Sequence, residues 1–213
     1  FNQARHAMVE QQVRPWEVLD RRVLDVLGEI KREDFVPVRH RKLAFADLAL
    51  PLAHGETMLK PVLEGRLLQA LDLKPTDDVL QIGAGSGFLS ACLARLARAV
   101  HALELHPDLA AEAQRRLDAA EIANVRLECA DAATWSTGQR FDAILVGGAV
   151  AELPQRFADW LKPGGRLVAV RGQAPVQEAV CAYAEAAGLR VESLLETDIP
   201  YLRGFAPQAR FAL

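Results

Sequence analysis

The stretch "VLQIGAGSGF", Val79 to Phe88, runs an apolar segment directly into three glycines at alternate positions. Glycine has no Cβ, so it adopts positive φ at little cost and lets a ligand approach the backbone closely. A tight turn between a strand and a helix needs one such residue rather than three. We therefore expect Gly83, Gly85 and Gly87 to hold a ligand against bare peptide groups at the end of a strand.

From residue 77 onward, short β-branched runs alternate with helical patterns rich in Ala and Leu. The predicted strands are 78–82, 99–104, 125–129, 141–146, 166–170, 190–196 and 205–212, and the predicted helices are 87–97, 107–121, 154–161 and 174–187. This alternation predicts a doubly wound α/β fold, a seven-stranded parallel sheet with helices on both faces. In such a sheet, ligands bind beyond the carboxyl ends of the strands, where the strand order reverses.

The first part of the chain, residues 1–73, has a different pattern, which predicts helices joined by irregular connections. Residues 48–61 contain two prolines, a glycine and little helical period, so we expect a loop or a strand-like segment there. One helical face is predicted to carry Leu19, Val23, Val26, Leu27 and Ile30. No linker composition separates this part from residues 74–213, so the expectation is one domain, 1–213, with an N-terminal helical extension.

The composition limits the function. A length of 213 residues, 51% hydrophobic and 25% charged, is typical of one globular domain. A net charge of -3 argues against a nucleic-acid partner, because phosphate binding needs clustered Lys and Arg. No apolar stretch is long enough for a membrane span and no leader is recognisable, so a soluble, cytoplasmic protein is expected. The scattered histidines and cysteines predict no metal site.

The spacing of the glycines separates two kinds of cofactor. A dinucleotide-binding loop has the pattern G-x-G-x-x-G, but its third glycine would fall on Phe88. The pattern G-x-G-x-G instead resembles motif I of S-adenosylmethionine-dependent methyltransferases. That resemblance implies a Rossmann-like methyltransferase fold in which Gly83, Ala84, Gly85 and Gly87 pack against the amino-acid end of the cofactor.

Three further positions agree with this cofactor. Glu104 ends the second strand of the alternating region 21 residues after the first glycine, where an acid accepts hydrogen bonds from ribose hydroxyls. Asp131 follows the third strand, where methyltransferases place an acid against the adenine amino group, although it could instead cap a turn. Gly147 ends the fourth strand beside the expected methyl group, or simply turns the chain. The neighbours Leu105 and Ala132 complete the predicted cofactor site.

Nearly the whole chain resembles one family, the protein-L-isoaspartate O-methyltransferases. The most specific likenesses are "REDFVP", "AFADLALPL", "GETMLKP" and "DIPYL", which occur in the order and spacing of that family. The resemblance implies a monomeric enzyme that uses S-adenosyl-L-methionine, releases S-adenosyl-L-homocysteine, and methylates the free carboxylate of isoaspartyl residues in damaged proteins. It also implies that residues 1–73 lie on the substrate side, with residues 74–213 as the cofactor-binding core.

This chain departs from the family pattern at several positions. Leu59 replaces the serine usually credited with the active-site role, Lys60 follows it, Gln81 replaces a glutamate, and Glu64 stands where a histidine is often found. By the resemblance, Thr57, Leu59 and Lys60 are the candidate residues of the transfer site, and Met58 lines it.

Methyl transfer to a carboxylate leaves two questions open. A carboxylate is already ionised at neutral pH, so no general base is required, and the site must supply alignment and a pocket that excludes water. Lys60 could pair with the substrate carboxylate or be a solvated lysine at the rim. The alternatives to isoaspartyl methylation are transfer to a different carboxylate or hydroxyl, and a catalytically silent protein that binds S-adenosylmethionine.

Overall fold

The computed structural model describes residues 1–208, and the first 73 of these are mostly short helices, as predicted. The helices are α1 Asn2–Met8, α2 Arg21–Glu29, α3 Arg32–Phe35 and α4 Pro61–Leu71, with a π-helical turn at Val9–Val13 and 3-10 turns at Arg14–Trp16, Val38–Leu43 and Ala53–Gly55. The predicted strand-like segment contains two short antiparallel strands, β1 Leu50–Pro51 and β2 Thr57–Met58.

Helix α2 begins later than the periodicity predicts. The side chain of Asp20 accepts a hydrogen bond from the backbone N–H of Arg22 and so caps the helix, which places Leu19 before it. Leu19 is 71% exposed, so its predicted place on the buried face is wrong. Val23, Val26 and Leu27 are buried as predicted.

The remainder of the described chain forms a seven-stranded sheet with the order β5-β4-β3-β6-β7-β8-β9. The strands are β3 Asp78–Ile82, β4 Ala99–Glu104, β5 Val125–Cys129, β6 Phe141–Val150, β7 Leu161–Gln173, β8 Val176–Glu185 and β9 Gly188–Thr197, and the helices are α5 Phe88–Leu96, α6 Pro107–Ala119 and α7 Gln155–Asp159. Strands β3 to β7 are parallel. The sheet therefore confirms the predicted α/β fold with seven strands, and the order reverses at β3.

The predicted helix 174–187 is wrong, because this segment is strand β8. Its Ala-rich sequence has no clear alternation, since β8 lies inside the sheet and Ala179 to Ala182 are all buried. It pairs antiparallel with both β7 and β9, so the sheet is mixed rather than wholly parallel. The predicted strand 205–212 is also wrong for residues 205–208, and the rest of it lies outside the described residues.

Two apolar clusters enclose the sheet. One packs α2, α4 and α5 against one face, and its fully buried members include Leu63, Leu67 and Val79. The other packs α7 and neighbouring aromatic rings, among them Phe157 and Trp160, against the opposite face. The strand ends are fixed between these layers, and that is where the candidate site lies. Within the described residues, no helix is long and apolar enough to cross a membrane.

Candidate functional site

A cleft opens at the carboxyl ends of β3, β4 and β6, where the strand order reverses. Its empty volume, which includes space open to solvent, is about 700 Å³. Nine of the residues predicted for the site line it: Thr57, Leu59, Gly83, Gly85, Glu104, Leu105, Asp131, Ala132 and Gly147. Residues scattered over 91 positions of the sequence, from 57 to 147 inclusive, are thus brought to one place.

The glycine loop is held in place by the neighbouring strand. The backbone N–H groups of Gly83 and Ala84 both donate to the Leu103 carbonyl, at 2.9 and 3.0 Å. Gly83 and Gly85 have φ of 83° and 54°, in the left-handed region that favours glycine. On the other side, a Cβ added to Gly147 would lie 2.6 Å from the Gly83 carbonyl oxygen. The loop is therefore held between β4 and β6, and Gly83 and Gly85 are half-buried, with the side chains of Leu202 and Leu52 nearby.

Glu104 joins the glycine loop to the next helix. Its Oε2 accepts a hydrogen bond from the Gly85 N–H at 2.8 Å, and its Oε1 accepts one from the His106 N–H at 3.0 Å. The residue is only 5% exposed. A carboxylate has about four acceptor positions, so two remain for a ligand after both backbone bonds are made. The arrangement suits an acceptor for a pair of hydroxyl groups.

Asp131 caps a turn, one of the two roles that the sequence leaves open. Its Oδ1 accepts from the Ala133 N–H at 2.8 Å. The residue nevertheless lines the cleft beside Ala132, and the cap uses only one of its two oxygens. A contact with a ligand amino group is compatible with the cap.

The transfer segment, residues 57–60, consists of strand β2 and the two residues after it. Thr57 and Leu59 line the cleft, and Met58 and Ala84 line a smaller adjoining cavity under the glycine loop. The Leu59 side chain is 4% exposed, so an apolar wall occupies this position. Lys60 lines neither cavity.

Gly87 also lies away from both cavities. Its φ is 84°, and a Cβ there would lie 3.2 Å from the Ala113 Cβ in α6. The glycine therefore permits close packing of α5 and α6. Gly147 neither ends the fourth strand of the alternating region nor turns the chain, because β6 continues to Val150, although its pairing with β7 shifts register between Leu145 and Ala149.

A buried ion pair lies beneath the transfer segment. The guanidinium of Arg32 donates to a carboxylate oxygen of Glu64, to the Leu59 carbonyl at 2.8 Å and to the Ala44 carbonyl at 2.8 Å. Arg32 is wholly buried and Glu64 is 1% exposed. Burial raises the pKa of Glu64 to about 7, although the charge and hydrogen bond of Arg32 oppose that shift. The sequence marked Glu64 as a departure from the family but gave no partner for it.

The cleft also contains residues that the sequence did not single out. Leu202 and Arg203 reach it because Tyr201 bridges to Ala149 and the Leu202 N–H donates to the Ala149 carbonyl at 2.7 Å. His106 also lines the cleft, and its ring stacks on that of His54, with 4.1 Å between the ring centres.

The histidine stack is tied to α6. His54 Nε2 lies 2.8 Å from Asp108 Oδ1, and this hydrogen bond lowers the pKa of Asp108. The 3-10 turn at Ala53–Gly55 is thereby held over the start of α6. A His-Pro pair at a helix start was the only sequence signal for this contact.

The seven-stranded sheet and its flanking helices have the Rossmann-like fold of methyltransferases. A chain described as a protein-L-isoaspartate O-methyltransferase of Plasmodium falciparum, solved in complex with S-adenosyl-L-homocysteine, superposes with a TM-score of 0.80 at 20% identity, covering 93% of this chain and 98% of that one. A second structure, titled protein-L-isoaspartate O-methyltransferase, also gives 0.80, at 23% identity, covering 94% and 67%. At these identities the likeness shows the fold alone.

The sequence comparisons give the family. The profile of the family described as Protein-L-isoaspartate(D-aspartate) O-methyltransferase (PCMT) matches residues 3–197. Protein-L-isoaspartate O-methyltransferase 2 of Anaeromyxobacter sp. (strain Fw109-5) is 38% identical over 94% of this chain and 84% of its own. The enzyme of Roseiflexus sp. (strain RS-1) is 35% identical over 97% and 95%. The chain belongs to the protein-L-isoaspartate(D-aspartate) O-methyltransferase family.

Proposed function

We propose that this protein is an S-adenosylmethionine-dependent O-methyltransferase that methylates the free carboxylate of isoaspartyl residues in damaged proteins. The observation that carries the proposal is the convergence of the glycine loop, Glu104 and Asp131 on one cleft in a chain of this family. Sequence relatives at 35% to 41% identity are named protein-L-isoaspartate O-methyltransferase. A monomeric state, a cytoplasmic location and the lack of a nucleic-acid partner stay predictions from the sequence.

The residues present fit S-adenosylmethionine. Gly83 and Gly85 line the cleft and present peptide groups with no Cβ of their own, Glu104 has acceptor positions for ribose hydroxyls, and Asp131 has a carboxylate oxygen for the adenine amino group. When bound, the cofactor supplies a methyl group on a sulfonium. A side chain at Gly147 would fill the space against the loop, so the glycine keeps this wall open.

The protein's own part of the reaction is to orient the substrate and exclude water. An isoaspartyl carboxylate is ionised at neutral pH, so the site needs no proton acceptor. Leu59, Leu103 and Leu202 give the cleft an apolar wall, which removes water from the attacking oxygen. Thr57 is the polar side chain of the transfer segment that lines the same cleft.

Substrate choice can be tested with peptides. We expect release of methanol, from hydrolysis of the methyl ester, with an isoaspartyl peptide and none with the same peptide containing aspartate. Binding of S-adenosylmethionine without methylation of either peptide would contradict isoaspartyl activity. That result would support the second candidate, a methyltransferase for another carboxylate or hydroxyl, which the apolar Leu59 favours, or a silent binding protein.

Leu59→Ser should raise kcat/KM for the isoaspartyl peptide about tenfold, because a hydroxyl can orient the carboxylate through one charge-assisted hydrogen bond. Leu59→Ala is the matched control, since it removes the same bulk without adding a hydroxyl, and it should give no rise. Steady-state kinetics of both variants, below their melting temperatures, make the comparison. Equal values for Ser and Ala would mean that the hydroxyl has no part in this site.

Arg203 is the one Lys or Arg among the residues that line the cleft, within the described part of the chain. We expect the Arg203 guanidinium to pair with the carboxylate of the substrate. Arg203→Gln should therefore raise KM for an isoaspartyl peptide about tenfold, because this charge-assisted pair is lost. We expect kcat to change little, since the substrate loses its negative charge during transfer and the pair is not strengthened. Lys60→Gln serves as control and should change KM less than about twofold. A larger effect from Lys60 would assign the substrate carboxylate to that residue instead.

A further inference from the structure

Glu64 has one carboxylate oxygen in an ion pair and one without a donor. Its Oε2 is held by Arg32, whereas within residues 1–208 no group hydrogen-bonds to Oε1. The side chain is 1% exposed. Oε1 is not among the fully enclosed atoms that lack a partner, so this acceptor still reaches open space and is free to meet a ligand.

The position of Glu64 indicates which ligand group is concerned. Glu64 lines the smaller cavity together with Thr57, Gly83 and Gly85, directly under the glycine loop. On the other side, Arg32 is fixed by two backbone carbonyls and lies 4.7 Å from the centre of the Phe88 ring. The ion pair is thus rigid, and the free side of the carboxylate belongs to the cavity.

The glycine loop receives the amino-acid end of S-adenosylmethionine, which carries an ammonium group. Gln81, at the end of β3, has a polar side chain next to the loop, but it is neutral. Its Oε1 accepts from Ser90 Oγ at 2.6 Å, and its Nε2 donates to the Gly83 carbonyl at 3.3 Å. Glu104 lines the larger cleft, and its two oxygens accept hydrogen bonds from the Gly85 and His106 N–H groups. Within the described residues, Glu64 is the one carboxylate that lines the smaller cavity, where it can meet an ammonium group.

We propose that Glu64 binds the cofactor: its Oε1 accepts a hydrogen bond from the α-ammonium group of S-adenosylmethionine while Oε2 stays paired with Arg32. This inference rests on the proposed cofactor but not on the isoaspartyl substrate. Glu64 then selects ligands that carry the ammonium group, and Arg32 is a positioning residue that holds the carboxylate.

The test is calorimetric titration with two probes, S-adenosyl-L-homocysteine and its deaminated analogue, in which hydrogen replaces the ammonium group. Glu64→Gln should bind S-adenosyl-L-homocysteine about tenfold or more weakly than the wild type, because a charge-assisted hydrogen bond is lost. The affinity of Glu64→Gln for the deaminated analogue should be less than about threefold below that of the wild type. Equal losses for the two probes, or no loss for either, would overturn the assignment of Glu64.

Glu33→Gln is the matched control, because Glu33 is also a buried carboxylate paired with an arginine, Arg5, but lines neither cavity of the cleft. It should leave the affinity for both probes unchanged. If wild-type protein gives no heat with S-adenosyl-L-homocysteine, the proposed cofactor itself is overturned. Binding without isoaspartyl methylation would overturn the proposed substrate and leave Glu64 assigned.

A second measurement needs no variant and decides the question if Glu64→Gln does not fold. Burial raises the pKa of Glu64 to about 7, with Arg32 opposing the shift and Asp47 adding to it, and the Cys92 thiol is also nearby. An ammonium group beside the carboxylate favours its ionised form. At pH 7, binding of S-adenosyl-L-homocysteine should release a fraction of a proton that the deaminated analogue does not release. Titrations in buffers of different ionisation enthalpy count these protons, and equal counts would contradict the contact.

Discussion

Glu104→Ala is expected to lower the affinity for S-adenosylmethionine at least about 100-fold, because it removes two charge-assisted hydrogen bonds of about 1.5 kcal/mol or more each. The carboxylate has two functions. It offers acceptors to the ribose hydroxyls, and it fixes the N–H groups of Gly85 and His106 on either side of the cleft. Calorimetric titration measures the affinity, and thermal unfolding shows whether the variant is folded.

Glu104→Gln makes this prediction more specific. Both carboxylate oxygens accept backbone N–H groups, so an amide must direct its NH2 group at either Gly85 or His106, where a donor meets a donor. The amide should therefore bind the cofactor nearly as weakly as alanine. Glu112→Gln, an exposed carboxylate on α6 outside the cleft, should have no effect. Wild-type affinity in a folded Glu104→Gln protein would show that the carboxylate has no special role.

Gly147→Ala is expected to destabilise the protein by about 3 kcal/mol, since overpacking against atoms that cannot move costs of this order. The added Cβ would lie 2.6 Å from the Gly83 carbonyl oxygen and 3.2 Å from that of Ile82. Both are backbone atoms at the end of β3, and the loop cannot retreat because Leu103 holds it from the other side. Urea unfolding measures the loss.

Gly138→Ala is the control for this substitution. It makes the same chemical change at a loop position where a Cβ would have nothing within 4 Å. We expect its free energy of unfolding to stay within about 0.5 kcal/mol of the wild type. If Gly147→Ala is equally neutral and still binds S-adenosylmethionine, the contact between β6 and the glycine loop is looser than the structure shows.

The local part of the site could be predicted from the sequence. The bounds of β3, β4 and β5 match their predictions, because each is a short run that ends at punctuation such as the first glycine of the loop or the His-Pro pair. Residues at strand ends, Glu104 and Asp131, then fall at the same edge of a parallel sheet. The parallel topology alone brings these two residues together, so the positions of the strand ends in the sequence were sufficient to predict them as site residues.

The rest depends on contacts between distant parts of the chain. Segment 174–187 was predicted to be helical because Ala-rich runs suit a helix and a buried strand alike, and only its pairing with β7 and β9 decides between them. Arg203 reaches the cleft because it lies in the segment of the chain that follows the antiparallel strands β8 and β9. The proposed role of Glu64 depends on Arg32, 32 residues away in the sequence, which holds its carboxylate in place. No periodicity carries information of this kind.

The bridge between Tyr201 and Ala149 has a consequence for how the protein is made. Thr57 and its hairpin form one wall of the cleft, and Leu202 forms the other. The ribosome synthesises Leu202 much later than Thr57. A nascent chain that stops before Leu202 would contain the glycine loop but would lack the wall of the cleft that Leu202 forms. In the complete chain, a ligand at 100 times its Kd stabilises the folded state by about 2.7 kcal/mol. Proteolysis near the bridge should therefore be slower when the cofactor is present.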